Sequence, residues 1–205
     1  LSIVIENFGS IDKNGNEIIF RGIGIGGWLM PEGYMLKTQG YGSPTTIREK
    51  IVDLVGEDGT KQFYELYINN FFTEKDVKQI KDWGFNSIRL PFHYNVIANI
   101  EPQLEFKEEG FDIFDSVLAW CEKYEIYLIF DMHAAPGGQN HGNISDSDGE
   151  AKLWTIPENQ DLTVAIWEEI ATRYYDKEWV AGYDLLNEPV MPEGYDNIDL
   201  RQLYN

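Results

Sequence analysis

Short apolar runs alternate along the chain with longer segments in which apolar residues recur at helical spacing. The four clearest runs lie at residues 22–26, 87–90, 126–130 and 181–186. Fully buried parallel strands have this nearly continuous apolar character, and parallel strands need helical crossovers between them. The pattern therefore predicts an α/β fold built from about four strand–helix units.

Helical patterns follow these strands at about residues 74–83, 111–124 and 160–174, with a last helix from near Ile198. Thr73 stands before the first of them and Asp76 follows three residues later, a spacing typical of a helix N-terminus. The order of strands and helices is thus readable from the chain alone.

Two features lie outside this alternation. Near the N-terminus, strands at about 2–5 and 17–20 flank Asn14-Gly15, a pair that favours a hairpin turn. The segment from Asp12 also resembles the start of a calcium loop, but the closing Glu of such a loop is missing. Further on, a long insertion at about 28–72 is expected to hold helices at about 45–55 and 61–69, and to shape a binding site.

The amino-acid composition and net charge limit the classes of molecule that this protein can bind. The chain has 205 residues, of which 43% are hydrophobic, and length favours one globular domain. Its net charge of -19 argues against nucleic acid, which requires clustered Lys and Arg, and disfavours anionic substrates and acidic membrane surfaces. A neutral polymer is compatible with this charge.

Localisation is weakly constrained by the sequence. Cys121 is the only cysteine, so no internal disulfide is possible. No apolar run approaches the roughly 18 residues of a membrane span. We expect a processed or trimmed chain without a signal peptide, because residues 1–5 are strand-like and do not begin with Met.

Polar and aromatic groups follow every predicted strand. They are Trp28 and Glu32 after the first, Arg89 and His93 after the second, Asp131, His133 and Asn140 after the third, and Asn187 and Glu188 after the fourth. In parallel strand–helix barrels the active site lies at the carboxyl ends of the strands. Exposure to solvent explains one or two such groups, but not an Arg, a His and an Asn-Glu pair that each follow a buried-type run.

Three of these segments resemble glycoside hydrolase family 5, a family of retaining (β/α)8-barrel enzymes. They are residues 84–91 (GFNSIRLP), 131–137 (DMHAAPG) and 185–189 (LLNEP). Asn-Glu-Pro alone is a weak signal, whereas three matches in order, each at a strand end, are specific together. The resemblance extends from about Phe20 to Pro189.

The resemblance implies that residues 1–205 are the N-terminal half of one catalytic TIM-barrel domain. Glu188 is then the general acid/base, and Asn187 donates a hydrogen bond to the sugar 2-hydroxyl. Arg89 lies beneath the nucleophile and keeps it ionised. The family's nucleophile is a Glu at the end of the seventh strand, so it lies outside this chain.

Other site residues carried over from the resemblance bind substrate. They are His133 and Glu32 as contacts to sugar hydroxyls, Trp28 as a stacking face, and Asn140 from the loop after the third strand. Neither a cofactor nor a metal is implied. The substrate is a neutral β-glucan or oligosaccharide, and the family suggests an extracellular or periplasmic location. Residues 27–32 and 136–140 look closest to the exo-β-1,3-glucanase branch, but cellulase-like members share much of the pattern, so linkage and endo or exo action stay open.

The same residues allow other interpretations. Glycines 22, 24 and 27 match a dinucleotide-binding pattern, but residues 28–31 do not continue it as a helix. The three histidines, with Asp131, lack the paired spacing of a metal site. Residues 146–150 could attract calcium but are more typical of an exposed turn. Of the tryptophans, Trp83, Trp120 and Trp167 lie in helical patterns and are expected in the core, and Trp154 is a second stacking candidate.

A half-barrel leaves open strand edges, which favour association. We therefore expect a C-terminal half-barrel fragment as partner, or self-association. The alternative function is an inactive carbohydrate-binding or scaffold fragment without a nucleophile. A metal-dependent barrel hydrolase is a third, weaker possibility.

Overall fold

A small antiparallel sheet opens the protein. The computed structural model describes residues 4–6, 9–11 and 17–205. The sheet has the order β1 (Val4–Glu6), β2 (Gly9–Ile11), β3 (Glu17–Ile18). The predicted direct pairing of strands 2–5 and 17–20 is therefore wrong, because β2 lies between them and pairs with both. The Asn14-Gly15 turn and the calcium-loop alternative lie outside the described residues.

The predicted parallel sheet is present. Its strands, in spatial order, are β4 (Gly22–Gly24), β5 (Ser87–His93), β8 (Tyr127–Ala134) and β9 (Val180–Asp184), and a two-stranded ribbon of β6 (Ala98–Asn99) and β7 (Glu105–Phe106) follows β5 in the chain. All three pairings in the large sheet are parallel. Strands β5 and β8 run past their predicted ends because their ladder of backbone hydrogen bonds continues beyond the apolar run.

Helices fill the connections between the strands. They are α1 (Gly33–Leu36), α2 (Pro44–Phe71), α3 (Glu74–Asp82), α4 (Glu108–Lys123), α5 (Lys152–Thr155), α6 (Pro157–Tyr174) and α7 (Asn197–Tyr204). Helix α3 begins where predicted, since Asp76 Oδ2 accepts hydrogen bonds from the backbone N–H and the hydroxyl of Thr73, both at 2.8 Å. Among the described residues, no helix combines the length and the apolar character needed to cross a bilayer.

The insertion between β4 and α3 consists of α1 and α2. Helix α2 is two helical segments joined at Gly56, whose φ of 73° and ψ of 174° interrupt the helix. A positive φ is accessible to glycine without the steric penalty that a Cβ brings. The two predicted insertion helices are thus confirmed, whereas α1 was not anticipated.

The main core lies between the sheet and its helices. Alternate residues of β5 and β8, including Ile88, Leu90 and Phe130, are fully buried against residues such as Phe114. Because strand side chains alternate between the two faces, the polar residues of the same strands face the opposite side. The expectation that Trp83 lies in the core is wrong, since it is 64% exposed at the end of α3.

Candidate active site

Arg89 joins three strands at their carboxyl ends. Its guanidinium donates to Asp184 Oδ2 at 3.0 Å from Nε and 2.9 Å from Nη2, and Nη2 also donates to Asn187 Oδ1 at 2.8 Å. The same Nη2 lies 2.9 Å from Asp131 Oδ2. The planar donor fork of arginine allows one side chain to hold several acceptors. The structure therefore brings together Arg89 and Asn187, which the sequence places in separate segments.

Asp131 and His133 form a buried pair beside Arg89. His133 Nδ1 and Asp131 Oδ2 are 2.7 Å apart, and Asp131 is completely buried. A carboxylate in this position favours the histidine tautomer with its proton on Nδ1, and the other ring nitrogen, Nε2, lies on the side of Glu32. Burial raises the pKa of the Asp131 carboxyl, while the hydrogen bond from His133 and the charge of Arg89 act in the opposite direction.

Glu32 approaches this pair from the loop after β4. Its Oε1 lies 3.9 Å from His133 Nε2, and its side chain is buried. Burial raises the pKa of Glu32, His133 acts against that shift, and Glu188 and Asp131 add to it. Carboxyl oxygens accept hydrogen bonds, which suits contact with sugar hydroxyls.

Glu188 stands at the rim of the site, with Asn187 buried behind it. The Asn187 backbone N–H donates to Met132 O at 3.1 Å, while its Nδ2 has no hydrogen-bond partner in the part of the chain that is described. Glu188 is exposed and has a φ of 44°. That left-handed conformation is unfavourable for a residue with a Cβ and tends to occur at functional sites.

Asn140 was predicted to contact the substrate, but its side chain does not face the site. It is 4% exposed, its Nδ2 donates to Glu188 O at 3.0 Å, and its Oδ1 accepts from Gly142 N at 2.8 Å. The predicted contact between Asn140 and the sugar is therefore wrong, because the polar atoms of its side chain form hydrogen bonds within the protein. Gln139, which the sequence reasoning missed, is also buried here. The only signal in the sequence was an amide-bearing residue in a glycine-rich loop after a buried strand.

Trp28 is not a stacking face. It is 2% exposed, its indole N–H donates to Ile68 O at 3.1 Å, and its ring centroid lies 5.2 Å from that of Phe72. Trp154 is likewise buried. Tyr34 on α1, two residues after Glu32, is an aromatic side chain that is 73% exposed. Nearby Glu32, followed by burial and by Glu188, raises the pKa of Tyr34.

The rival interpretations find no support in the geometry. No helix begins at the glycines of β4, and Leu29 instead forms a parallel bridge with Phe92. His93 Nε2 lies 3.1 Å from Asp146 Oδ2, whereas His141 is exposed and contacts Gly149 O at 3.2 Å. Within residues 17–205, where side chains are described, no group of three or more potential ligands has metal-binding geometry. Residues 146–150 do not converge, since Asp148 pairs with Lys152.

Comparison with known sequences identifies relatives of this chain. β-Xylosidase of Phanerodontia chrysosporium is 41% identical over 184 residues, covering 89% of this chain and 38% of that protein. Endoglucanase C of Acetivibrio thermocellus is 36% identical over 131 residues, covering 64% and 37% respectively. A probable glucan 1,3-β-glucosidase A of Aspergillus fumigatus is 28% identical over 207 residues, covering 100% and 49%. The chain thus spans less than half the length of each of these relatives.

Solved structures and the family profile agree with this relationship. Rutinosidase from Aspergillus niger superimposes with a TM-score of 0.70 at 16% identity, over 84% of this chain and 49% of that one. At this identity the likeness concerns the fold alone, and it confirms the prediction of a partial (β/α)8 barrel. The profile of Cellulase (glycosyl hydrolase family 5) matches residues 45–200. The chain therefore belongs to glycosyl hydrolase family 5.

Proposed function

We propose that these residues form the acid/base half of a retaining β-glycosidase acting on a neutral β-glucan. The observation that carries the proposal is Asn187-Glu188, placed at the end of β9 with the Asn187 amide held by Arg89. Glu188 protonates the leaving oxygen in the first step and activates water in the second. Its exposure at the rim gives the carboxyl group access to both the glycosidic oxygen and water.

The neighbouring side chains have distinct roles in this proposal. The unpartnered Nδ2 of Asn187 donates to the sugar 2-hydroxyl, a hydrogen bond that strengthens in the transition state. His133 and Glu32 bind further hydroxyls of the same sugar. Arg89 provides positive charge below the reacting carbon and favours the ionised form of the nucleophile.

The nucleophile comes from outside residues 1–205 in this proposal. Retention requires two carboxyl groups about 5 to 5.5 Å apart. Glu150 and Glu193 are further exposed carboxylates in neighbouring loops, and in this proposal both are solvated loop residues without a catalytic role. A polypeptide that completes the barrel, whether continuous with this chain or separate, would carry the second carboxylate and cover the open edges at β4 and β9.

The substrate class follows from charge and from the relatives. A net charge of -19 disfavours anionic polymers, and the relatives carry the names β-xylosidase, endoglucanase and glucan 1,3-β-glucosidase. Laminarin, cellulose derivatives and aryl β-glucosides or β-xylosides are therefore the substrates to test.

The test replaces Glu188 by Gln in the complete protein that contains this chain. We expect kcat/KM on laminarin or a cellulose derivative, whose sugar leaving groups need protonation, to fall by about 100-fold to 10,000-fold, the usual contribution of general acid–base catalysis. Glu193→Gln is the matched control, because Glu193 is an exposed carboxylate five residues away in the same loop. Equal activity of the two variants would contradict the proposal. A complete protein that binds glucan without any turnover would favour the carbohydrate-binding alternative.

A further inference from the structure

Two adjacent amide side chains after β8 hold the backbone of the acid/base segment. Gln139 is completely buried, and its Nε2 donates to two carbonyl groups, His133 O at 2.7 Å and Asn187 O at 2.8 Å. Its Oε1 accepts from Ala135 N at 3.1 Å. Gln139 therefore ties the end of β8 to the segment that follows β9.

Asn140 extends this connection to Glu188 itself. Its Nδ2 donates to Glu188 O at 3.0 Å, and Val190 N donates to Gln139 O at 3.0 Å. Residues 187, 188 and 190 are thus each bonded to the pair Gln139–Asn140, which we call the amide clamp. Because the bonds fall on both sides of the Glu188 Cα, they restrict rotation of its backbone.

Further hydrogen bonds hold the two residues of the amide clamp in place. Asn140 Oδ1 accepts from Gly142 N at 2.8 Å and from Ser145 Oγ at 3.0 Å, and Trp154 Nε1 donates to Gln139 O at 3.0 Å. Each side-chain nitrogen and oxygen of the clamp therefore has a hydrogen-bond partner, a condition under which a hydrogen-bond network is rigid.

Glu188 needs such external support. Its φ of 44° is disfavoured for a residue with a Cβ, and such conformations persist only where the surroundings over-determine them. The exposed Glu188 side chain has little packing to direct it, so its direction depends on the backbone conformation. Relaxation of φ toward the ordinary negative region would swing the carboxyl group away from its present position.

We propose that Gln139 and Asn140 are positioning residues that hold Glu188 in the left-handed conformation and so aim its carboxyl group at the glycosidic oxygen. This inference rests on the proposed acid/base role of Glu188. Proton donation depends on a short contact with the leaving oxygen, and a displacement of about 1 Å from productive geometry reduces rate by roughly 100-fold.

The main variant is Asn140→Asp in the complete protein. Aspartate has nearly the same shape and keeps an acceptor for Gly142 N and Ser145 Oγ, but it replaces the donor to Glu188 O by an oxygen. Gln139→Glu is the second variant: it keeps the acceptor for Ala135 N and loses the donor to both Asn187 O and His133 O. Each variant therefore removes clamp bonds without removing bulk.

Two substrates separate positioning from general damage. A nitrophenyl β-glycoside has a good leaving group and needs little proton donation in the bond-breaking step, whereas an alkyl β-glycoside of the same sugar depends on it. We expect Asn140→Asp to lower kcat/KM by about 10-fold to 100-fold on the alkyl glycoside, and by no more than about threefold on the nitrophenyl glycoside. KM for the alkyl glycoside should change little, because the sugar contacts remain.

Asn159→Ala is the matched control. Asn159 also contributes a side-chain amide near this loop, donating to Lys152 O at 3.2 Å, but it makes no bond to the segment after β9. The ratio of the two activities should stay at the wild-type value in this variant. An equal loss on both substrates in Asn140→Asp and Gln139→Glu, or unchanged activity in both, would overturn the inference.

Folding and the parent proposal are checked in parallel. If Asn140→Asp does not fold, Ser145→Ala takes its place, because it removes one hydrogen bond to Asn140 Oδ1. We expect this variant to lose activity selectively on the alkyl glycoside, by a smaller factor. An equal loss on both glycosides would overturn the inference. Glu188→Gln is assayed beside the clamp variants. Full activity of Glu188→Gln on the alkyl glycoside would contradict the acid/base role itself. If Glu188→Gln loses this activity while Asn140→Asp keeps it, only the positioning role is refuted.

Discussion

Replacing Arg89 by Met tests the electrostatic centre of the site. The substitution removes the cation that contacts Asp131, Asp184 and Asn187. Asp131 is completely buried and would keep only the hydrogen bond with His133. Removing one partner of a buried ion pair costs about 3 to 5 kcal/mol. We expect about 3 kcal/mol, the lower end of that range, because His133 remains and Asp184 is partly exposed.

The loss should depend on pH in a defined direction. Burial raises the pKa of Asp131 above its unfolded value, and Arg89 opposes that shift. Without Arg89 the folded-state pKa of Asp131 rises further. A group with a raised folded-state pKa contributes its full stability at low pH and loses it as pH rises through that value. The stability difference between wild type and Arg89→Met should therefore be small near pH 4 and widen toward pH 7.5.

Urea unfolding of the complete protein, followed by tryptophan fluorescence at several pH values, measures this difference. Arg48→Met is the control, because Arg48 pairs with Glu57 at an exposed site where the arginine side chain is 52% accessible, and such pairs contribute about 0 to 1 kcal/mol. A stability difference between wild type and Arg89→Met that is independent of pH, or larger at acidic pH, would refute the electrostatic reasoning.

Two further predictions concern aromatic residues. Trp28→Phe should leave KM unchanged and lower the free energy of unfolding by about 1 kcal/mol, because the hydrogen bond to Ile68 O is lost. A large rise in KM would instead support the stacking role. Phe130→Ala should destabilise by about 3 to 5 kcal/mol, since the ring is fully buried with centroids 4.9 Å from both Phe114 and Tyr174, and a change below 1 kcal/mol by the same urea assay would contradict that packing.

Most of the fold was predictable because its signals are local. The apolar runs of β5 and β8 identify buried strands wherever they occur, and the Thr73-Asp76 spacing marks the start of α3. The three-residue strand β2 was missed, because Gly9–Ile11 becomes a strand through its pairing on both sides rather than through its composition. Helix α1 was missed because its four residues make about one turn, too short for a helical periodicity to show.

The sequence offered the residues of the candidate site, but it did not show which way their side chains point. Arg89, His133, Asn187 and Glu188 were named from strand ends and a family resemblance. Arg89 on β5 contacts Asn187 after β9 although β8 lies between these strands, because its long side chain spans the distance. The burial of Trp28 depends on helix α2, whose Ile68 carbonyl accepts its indole N–H. The inward direction of Asn140 depends likewise on the segment after β9. Neither contact has a signature in the neighbouring sequence.

The sequence by itself determined the strand–helix order and the family, and it was enough to propose Glu188 as the acid, because hydrophobic periodicity and short motifs are properties of contiguous residues. Only the tertiary structure decided which side chains face the site. It directed Arg89 to three acceptors, buried Trp28, and turned Gln139 and Asn140 onto the backbone around Glu188. The reason is physical: side-chain direction at a strand end depends on partners that lie tens of residues away in the chain.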